Sequence, residues 1–368
     1  MLEASMSLAP THATLEVSLS AIAENYRRLS ERLSSGACAG VIKANAYGLG
    51  APEVAGALWK KGCRSFFVAT MEEGIALREA GFLGGTIFII HGVPKGAEKV
   101  FQEHTLSPVH NTLEQLKRWA KNGRTSILHI DTGMRRLGLE QKDVAWLSAH
   151  PELIKQAGVT HYMSHLACAD DPKHTMNRQQ LNDLKVMIKQ LPKRKISFAN
   201  SAGIYLGKNF HFDLARPGCA LYGINPTPEK KNSMVGVARL TAPIFQIRTL
   251  EKRESVGYDA TYFGKKGDRI ATIGLGYADG YLRHLSNKGV AYLDGVQCSI
   301  VGRVSMDMVM LDVTHIPPAK LHPTTRAEFI GPNQRVDALA DAAGTIGYEI
   351  FTRMGRRIER IYVNSPHF

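Results

Sequence analysis

The sequence is sparing with cysteine, with long apolar runs and with concentrated charge. Its five cysteines (Cys38, Cys63, Cys168, Cys219 and Cys298) are scattered and odd in number, and no two are spaced Cys-x-x-Cys. That argues against a disulfide framework or a thiolate metal site and fits a reducing cytoplasm. The longest apolar run, near Thr86–Ile90, falls far short of the ~18–20 residues of a membrane span. Residues 1–13 have no basic start and no apolar stretch, so no secretory signal is expected. His161 and His165 lack the glutamate of a His-Glu-x-x-His zinc helix, so no metal is expected. Lys and Arg number 46 against 33 Asp and Glu, a formal net charge of +13. The basic residues come in short, dispersed pairs such as Arg27-Arg28, Lys60-Lys61 and Arg356-Arg357. There is no basic tail and no aromatic-basic RNA motif, which points away from nucleic acid and toward solvated faces that attract small anions.

What is present is ordinary globular composition, 44% hydrophobic and 21% charged, over 368 residues. That length suits two domains or a large barrel with an addition. Leu19, Ile22, Tyr26, Leu29 and Leu33 step by three and four, one face of a helix. Apolar strand candidates follow at 39–43, 64–69, 86–90, 106–109, 125–131, 159–164, 195–199 and 211–216, with helical segments between most of them. Eight strand-helix units predict a closed (β/α)8 barrel over residues 1–233, with a doubly wound sheet as the alternative. The polar, Pro-containing stretch 225–233 reads as a linker. Short strands without long helices then predict a mostly β domain over 234–368, with Asp294-Gly295 closing a hairpin.

In such a barrel the chemistry gathers at the C-terminal ends of the strands. Those ends carry Lys43, then Asp131 to Arg136, then Ser164-His165, then Asn200-Ser201, then Arg216-Pro217-Gly218. Lys43 ends an apolar strand, where a charged ammonium is costly, so an amine of lowered pKa suited to a Schiff base is one reading and an exposed strand-end lysine the other. Ser201 and the backbone near Gly218 can hold a phosphate without a cation, although small residues also make ordinary turns. Gly274 to Gly280 imitates a dinucleotide loop, but its third glycine is one residue late and no βαβ unit surrounds it.

The motifs Val41-Ile42-Lys43-Ala44-Asn45-Ala46-Tyr47-Gly48, Asp131-Thr132-Gly133-Met134-x-Arg136, Arg216-Pro217-Gly218, Val256-Gly257-Tyr258, Gly276-Tyr277-Ala278-Asp279-Gly280 and Val301-Gly302-Arg303-x-x-Met306-Asp307 together resemble those of the bacterial alanine racemases, in order and spacing, over nearly the whole chain. The resemblance implies pyridoxal 5'-phosphate as cofactor, a barrel followed by a β domain, and a homodimer with shared sites. It implies that Lys43 is the Schiff-base lysine and one of two bases, and that Tyr258 from the partner subunit is the other. Tyr47, Ser201, Gly218 and Cys219 fall at phosphate-binding positions. Arg216 falls opposite the pyridine nitrogen with His165 beside it, and Asn200 is counted with the cofactor site. Arg136 and the Met306 amide fall at the substrate carboxylate, Tyr277 and Arg283 at the entrance. Interconversion of L- and D-alanine, feeding peptidoglycan in the cytoplasm, is the function this implies.

Departures are visible too. His129 stands where many members have a lysine, often carbamylated, that braces the arginine, so Arg136 is expected to be held by an anion, by another partner or less firmly. Arg135 replaces a frequent glycine, and Arg356 aligns with a phosphate-contacting tyrosine. The competing readings are a broader amino-acid racemase on the same fold, a related decarboxylase whose Cys-Glu-Ser type segment is absent here, and a non-catalytic cofactor carrier, which would lack the β domain.

Overall fold

In a computed structural model the chain is described over residues 11–121, 123–321 and 325–364. It divides into two compact units. One runs from Ile22 to Val235; the other joins the segment ending at Ala21 to the segment beginning at Gly236.

The first unit is the expected barrel. Gly40–Val41, Ser65–Val68, Thr86–Ile89, Leu106–His110, Ser126–His129, Val159–Met163 and Lys195–Ser197 pair in that order, all parallel. Short Val/Ile/Leu/Phe runs suit this arrangement because both faces of a parallel sheet are covered. Leu214–Ala215 closes the ring as the eighth strand. On one side the Asp213 and Arg216 amides donate to Ile196 and Ala199 at 3.0 and 2.8 Å. On the other, the Ala37, Ala39 and Val41 amides donate to Asp213, Ala215 and Pro217 at 2.8, 2.9 and 3.1 Å. Helices cover the strands where apolar periodicity predicts them. In Thr175–Ile188, for example, Leu181 and Leu184 are buried against Phe198 and Leu166. The expected linker 225–233 contains no helix or strand and is pinned by Asn225 and Asn232 side chains to the Lys230 and Gly223 carbonyls.

The second unit is built on a sheet of eight strands, of which Ala238–Thr249 is the longest. Asp294 and Gly295, both at positive φ (49° and 75°), turn Val290–Leu293 into Val296–Ser299, the expected hairpin. Two helices, Val336–Ala343 and Gly347–Arg353, accompany the sheet. The opening strand Thr14–Ser18 pairs antiparallel with Ala238–Thr249 and parallel with Glu359–Val363. The described residues ahead of Ile22 therefore belong to the β-rich unit, whereas the sequence reading assigned everything up to 233 to the barrel. Ser18 ends this strand and its Oγ accepts the Ala21 amide at 3.1 Å, so it starts the helix Leu19–Arg32. Among the described residues no helix is long and apolar enough to cross a membrane.

Candidate active site

The strand Gly40–Val41 ends in an unusual turn. Ala44, Asn45, Ala46 and Tyr47 all have φ between 52° and 57°, a full left-handed turn with no glycine in it. Left-handed backbone costs L-residues ~1–2 kcal/mol each, and such strain persists only where the surroundings over-determine it. Here they do. Glu73 accepts the Ala44 and Ala69 amides, both at 2.7 Å, while Thr70 and Glu73 form the capping box of the next helix. Asn45 Oδ1 accepts the Ala51 amide at 2.8 Å. Tyr47 packs its ring on Tyr222 (centroids 4.7 Å apart), and Tyr222 donates its hydroxyl to the Val41 carbonyl at 2.8 Å. The turn thus sets Lys43 and the Tyr47 hydroxyl on a rigid frame.

Lys43 has its pKa pulled below the usual lysine value, first by burial and then by the charge of Arg136, with Glu73 opposing. A larger fraction of neutral amine follows, which is what a nucleophile or base requires.

Behind it, Arg216 is 6% exposed. It donates to Ser197 Oγ at 2.6 Å, to the Ser164 carbonyl at 2.7 Å and to His165 Nδ1 at 3.3 Å. Since a guanidinium only donates, His165 accepts through Nδ1 and carries its proton on Nε2. Burial, followed by Arg216, Arg136, His129 and Lys43, holds His165 neutral. Among the described residues no carboxylate pairs with Arg216; burial lowers its pKa to about 9, still leaving it charged at neutral pH.

Ser201 Oγ accepts the Gly218 and Ala220 amides at 2.9 and 3.3 Å. A Cβ on Gly218 would lie 2.4 Å from the Tyr47 hydroxyl oxygen, so only glycine admits this approach. Cys219 follows and bears electrostatically on Tyr47. The structure thus gathers Tyr47, Ser201, Gly218 and Cys219 into one cradle. Asn200 has a different place: its amide spans the Leu166 carbonyl (3.3 Å) and the Gly203 amide (2.8 Å), bracing the loop that presents Ser201.

His129 donates from Nδ1 to Asn111 Oδ1 at 2.8 Å, and burial together with Arg216 lowers its pKa to about 3. It is a neutral ring, and no ion pair or hydrogen bond ties the exposed Arg136 to any described residue.

Tyr258, Tyr277, Met306 and Arg356 belong to the β-rich unit. Tyr258 is 69% exposed between Gly257 (φ 78°) and Asp259 (φ 59°), and the Asp259 carboxylate lies 3.3 Å from Arg303 and 3.8 Å from Arg283. Tyr277 and Met306 are exposed on adjoining turns. Arg356 is exposed and bonds to no described residue; its neighbour Arg357 is the engaged one. Sequence reasoning missed Glu73, Ser197 and Asn111, which act on the site only through the groups they bond, and nothing in their spacing marks them.

An amine-bearing lysine at the mouth of a (β/α)8 barrel, backed by a buried guanidinium and flanked by a hydroxyl-and-amide cradle, defines a barrel enzyme of lysine-amine chemistry. The comparisons with known proteins agree. The family models for the N-terminal and C-terminal domains of alanine racemase match residues 17–226 and 237–362. The chain is 44% identical to the catabolic alanine racemase of Mesorhizobium japonicum, over 98% of this chain and 96% of that protein. It is also 44% identical to the alanine racemase of Rhodospirillum rubrum, over 95% and 96%. Among solved structures it is similar to the Bartonella henselae alanine racemase with covalently bound pyridoxal phosphate, with a TM-score of 0.91 and 38% identity over 96% of this chain and 100% of that one. The chain belongs to the alanine racemase family.

Proposed function

We propose that the protein interconverts L- and D-alanine with pyridoxal 5'-phosphate as its cofactor. The observation that carries this is the convergence of Lys43, of lowered pKa, with Arg216, a buried cation that no described carboxylate neutralises.

The residues present fit the cofactor. The space left by the missing Cβ of Gly218 and the hydroxyls of Tyr47 and Ser201, the latter held in place by the Gly218 and Ala220 amides, supply a cradle of neutral donors for a phosphate. Lys43 supplies the amine that links to an aldehyde, and Arg216 a donor for a ring nitrogen. When bound, the cofactor would supply a conjugated ring able to spread the negative charge that develops at Cα of alanine. Arg216 keeps its own proton at neutral pH, so it offers a hydrogen bond rather than full protonation, and neutral His165 receives a hydrogen bond from the same guanidinium.

Racemisation needs a proton taken from one face of Cα and one returned to the other, hence two bases. Lys43 serves one face. Tyr258 of the partner subunit serves the other in this reading, which makes the working form a homodimer with shared sites; the exposure of the Tyr258 phenol on its own chain supports it. Arg136 and the amide of the partner's Met306 receive the substrate carboxylate, with the partner's Tyr277 and Arg283 at the entrance. Five cysteines outside any disulfide suit a reducing cytoplasm, and D-alanine made there would supply peptidoglycan.

The test is direct. Purified protein with pyridoxal phosphate and L-alanine in heavy water should lose the α-proton signal by NMR while D-alanine accumulates on a chiral column. Retained α-protons and no D-alanine would refute the assignment.

A further inference from the structure

We propose that Arg357 is a positioning residue for the substrate carboxylate, acting through the peptide units that present the Met306 and Asp307 amides. The inference rests on the reading above that the Met306 amide receives that carboxylate.

Two turns of the β-rich unit are clasped together. The Tyr277 and Ala278 amides donate to the Ser305 and Met306 carbonyls at 3.1 and 2.9 Å. A Cβ on Gly276 would lie 2.3 Å from the Met306 carbonyl oxygen, so the approach requires glycine. In a trans peptide the C=O and N–H point in opposite directions. Both carbonyls face the 277–278 amides, so the N–H groups of Met306 and Asp307 face away from that turn. Neither donates to any described residue. Two adjacent free amides pointing the same way form a small anion-binding concavity.

Arg357 holds the clasp. Its Nε donates to Asp279 Oδ1 and its Nη1 to Asp307 Oδ1, both at 2.8 Å. Asp279 is 5% exposed and its other oxygen accepts the Gly276 amide at 2.9 Å. The Gly355 amide donates to the Asp279 carbonyl at 2.8 Å, which brings the segment carrying Arg357 against the same turn. Arg357 therefore ties the residue that follows Met306 to the buried anchor of the opposite turn. It also sets one permanent positive charge against two carboxylates that would otherwise repel an incoming anion. The Asp307–Arg357 pair is half exposed and so contributes little to stability; what it governs is the orientation of the amides beside it.

The experiment uses the holoenzyme and three variants, R357M, R357K and R357Q. KM and kcat are measured in both directions, together with competitive inhibition by propionate, which is alanine without its amine. R357M is expected to raise KM about tenfold for both enantiomers and the propionate inhibition constant equally, with kcat within about threefold, the size of one lost well-oriented hydrogen bond to a charge. R357K, which keeps the charge and reaches one carboxylate, should recover to within about threefold. Amide hydrogen exchange across residues 303–309 should quicken in R357M and not elsewhere in the unit. If R357M does not fold, R357Q carries the same expectations, because its amide can meet Asp279 but not span to Asp307. Unchanged KM and propionate inhibition in a folded variant, or a fall confined to kcat, overturns the inference while leaving the racemase reading intact. A wild-type protein that does not racemise alanine overturns that reading and the inference with it.

Discussion

Adding one methyl group at Gly218 tests the phosphate cradle. The new Cβ would meet the Tyr47 hydroxyl oxygen at 2.4 Å, against an ordinary contact of ~3.4 Å, so one of the two must move by about 1 Å. Tyr47 has little room to yield, because it is buried and its ring lies on Tyr222. A hydroxyl hydrogen bond stretched by ~1 Å is no longer a bond. If that bond goes to a phosphate it is worth ~1.5–3 kcal/mol, which converts to a ~10- to 150-fold weaker Kd for pyridoxal phosphate. The overpacked apo-protein should also lose ~1–3 kcal/mol of stability. Titrating apo-protein with cofactor and following the visible band gives the first quantity, thermal melting the second. Tyr47→Phe provides the control: without the hydroxyl the nearest ring atom is 3.2 Å from the new methyl. Gly218→Ala should therefore cost less in the Tyr47→Phe background than in the wild type, a positive coupling in a double-mutant cycle. Additive effects, or an unchanged Kd in Gly218→Ala, would refute the placement of the phosphate against Tyr47.

Other expectations follow from the same geometry. Lys43→Ala should abolish the covalently held, coloured cofactor, and retention of a covalent link after denaturation would contradict the role of Lys43. Tyr258→Phe should stop net racemisation while one enantiomer continues to exchange its α-proton with deuterium; exchange lost from both enantiomers equally, or turnover unchanged, would argue against a two-base division. Mixing dissociated Lys43→Ala and Tyr258→Phe chains and reassociating them should restore about a quarter of the wild-type sites, because random pairing makes half the dimers hybrid and each hybrid has one intact shared site; no recovery would place both residues in one chain's site. His110 has both ring nitrogens buried without a partner, beside Trp119, and burial with Arg118 lowers its pKa to about 3. The unfolded chain takes up that proton near pH 6.5 and the folded chain does not, so stability falls as the pH drops, by ~2 kcal/mol for this residue between pH 6.5 and 5. His110→Leu should flatten that slope, and parallel melting curves for the two proteins across this range would refute the assignment.

Much of the architecture is legible in local pattern. Eight apolar runs at regular spacing announce the barrel because each parallel strand is covered by helices on its outer face and by packed side chains in the barrel interior on its inner face. Asp294-Gly295 announces its hairpin because both residues tolerate positive φ. Lys43 stands out because a charged residue ends an apolar strand. The opening strand was not legible: Thr14 pairs with Thr241 and Glu359, partners hundreds of residues away, and five residues of weak alternation do not name them. Nor was the left-handed turn at Ala44–Tyr47, since none of its residues is a glycine and it is held from outside by Glu73 and Tyr222.

The sequence by itself determined the order of elements, the residue types at the strand ends and the family, because these depend on spacing along the chain. Only the tertiary structure decided how those residues behave. Arg216 keeps its charge with no described carboxylate beside it, and His165 and His129 are neutral, because burial and neighbouring cations act through space. Arg356 and Arg357 are the same residue type side by side; Arg357 bridges Asp279 and Asp307, and Arg356 stands in solvent, because only the folded backbone selects which of two adjacent side chains meets the carboxylates.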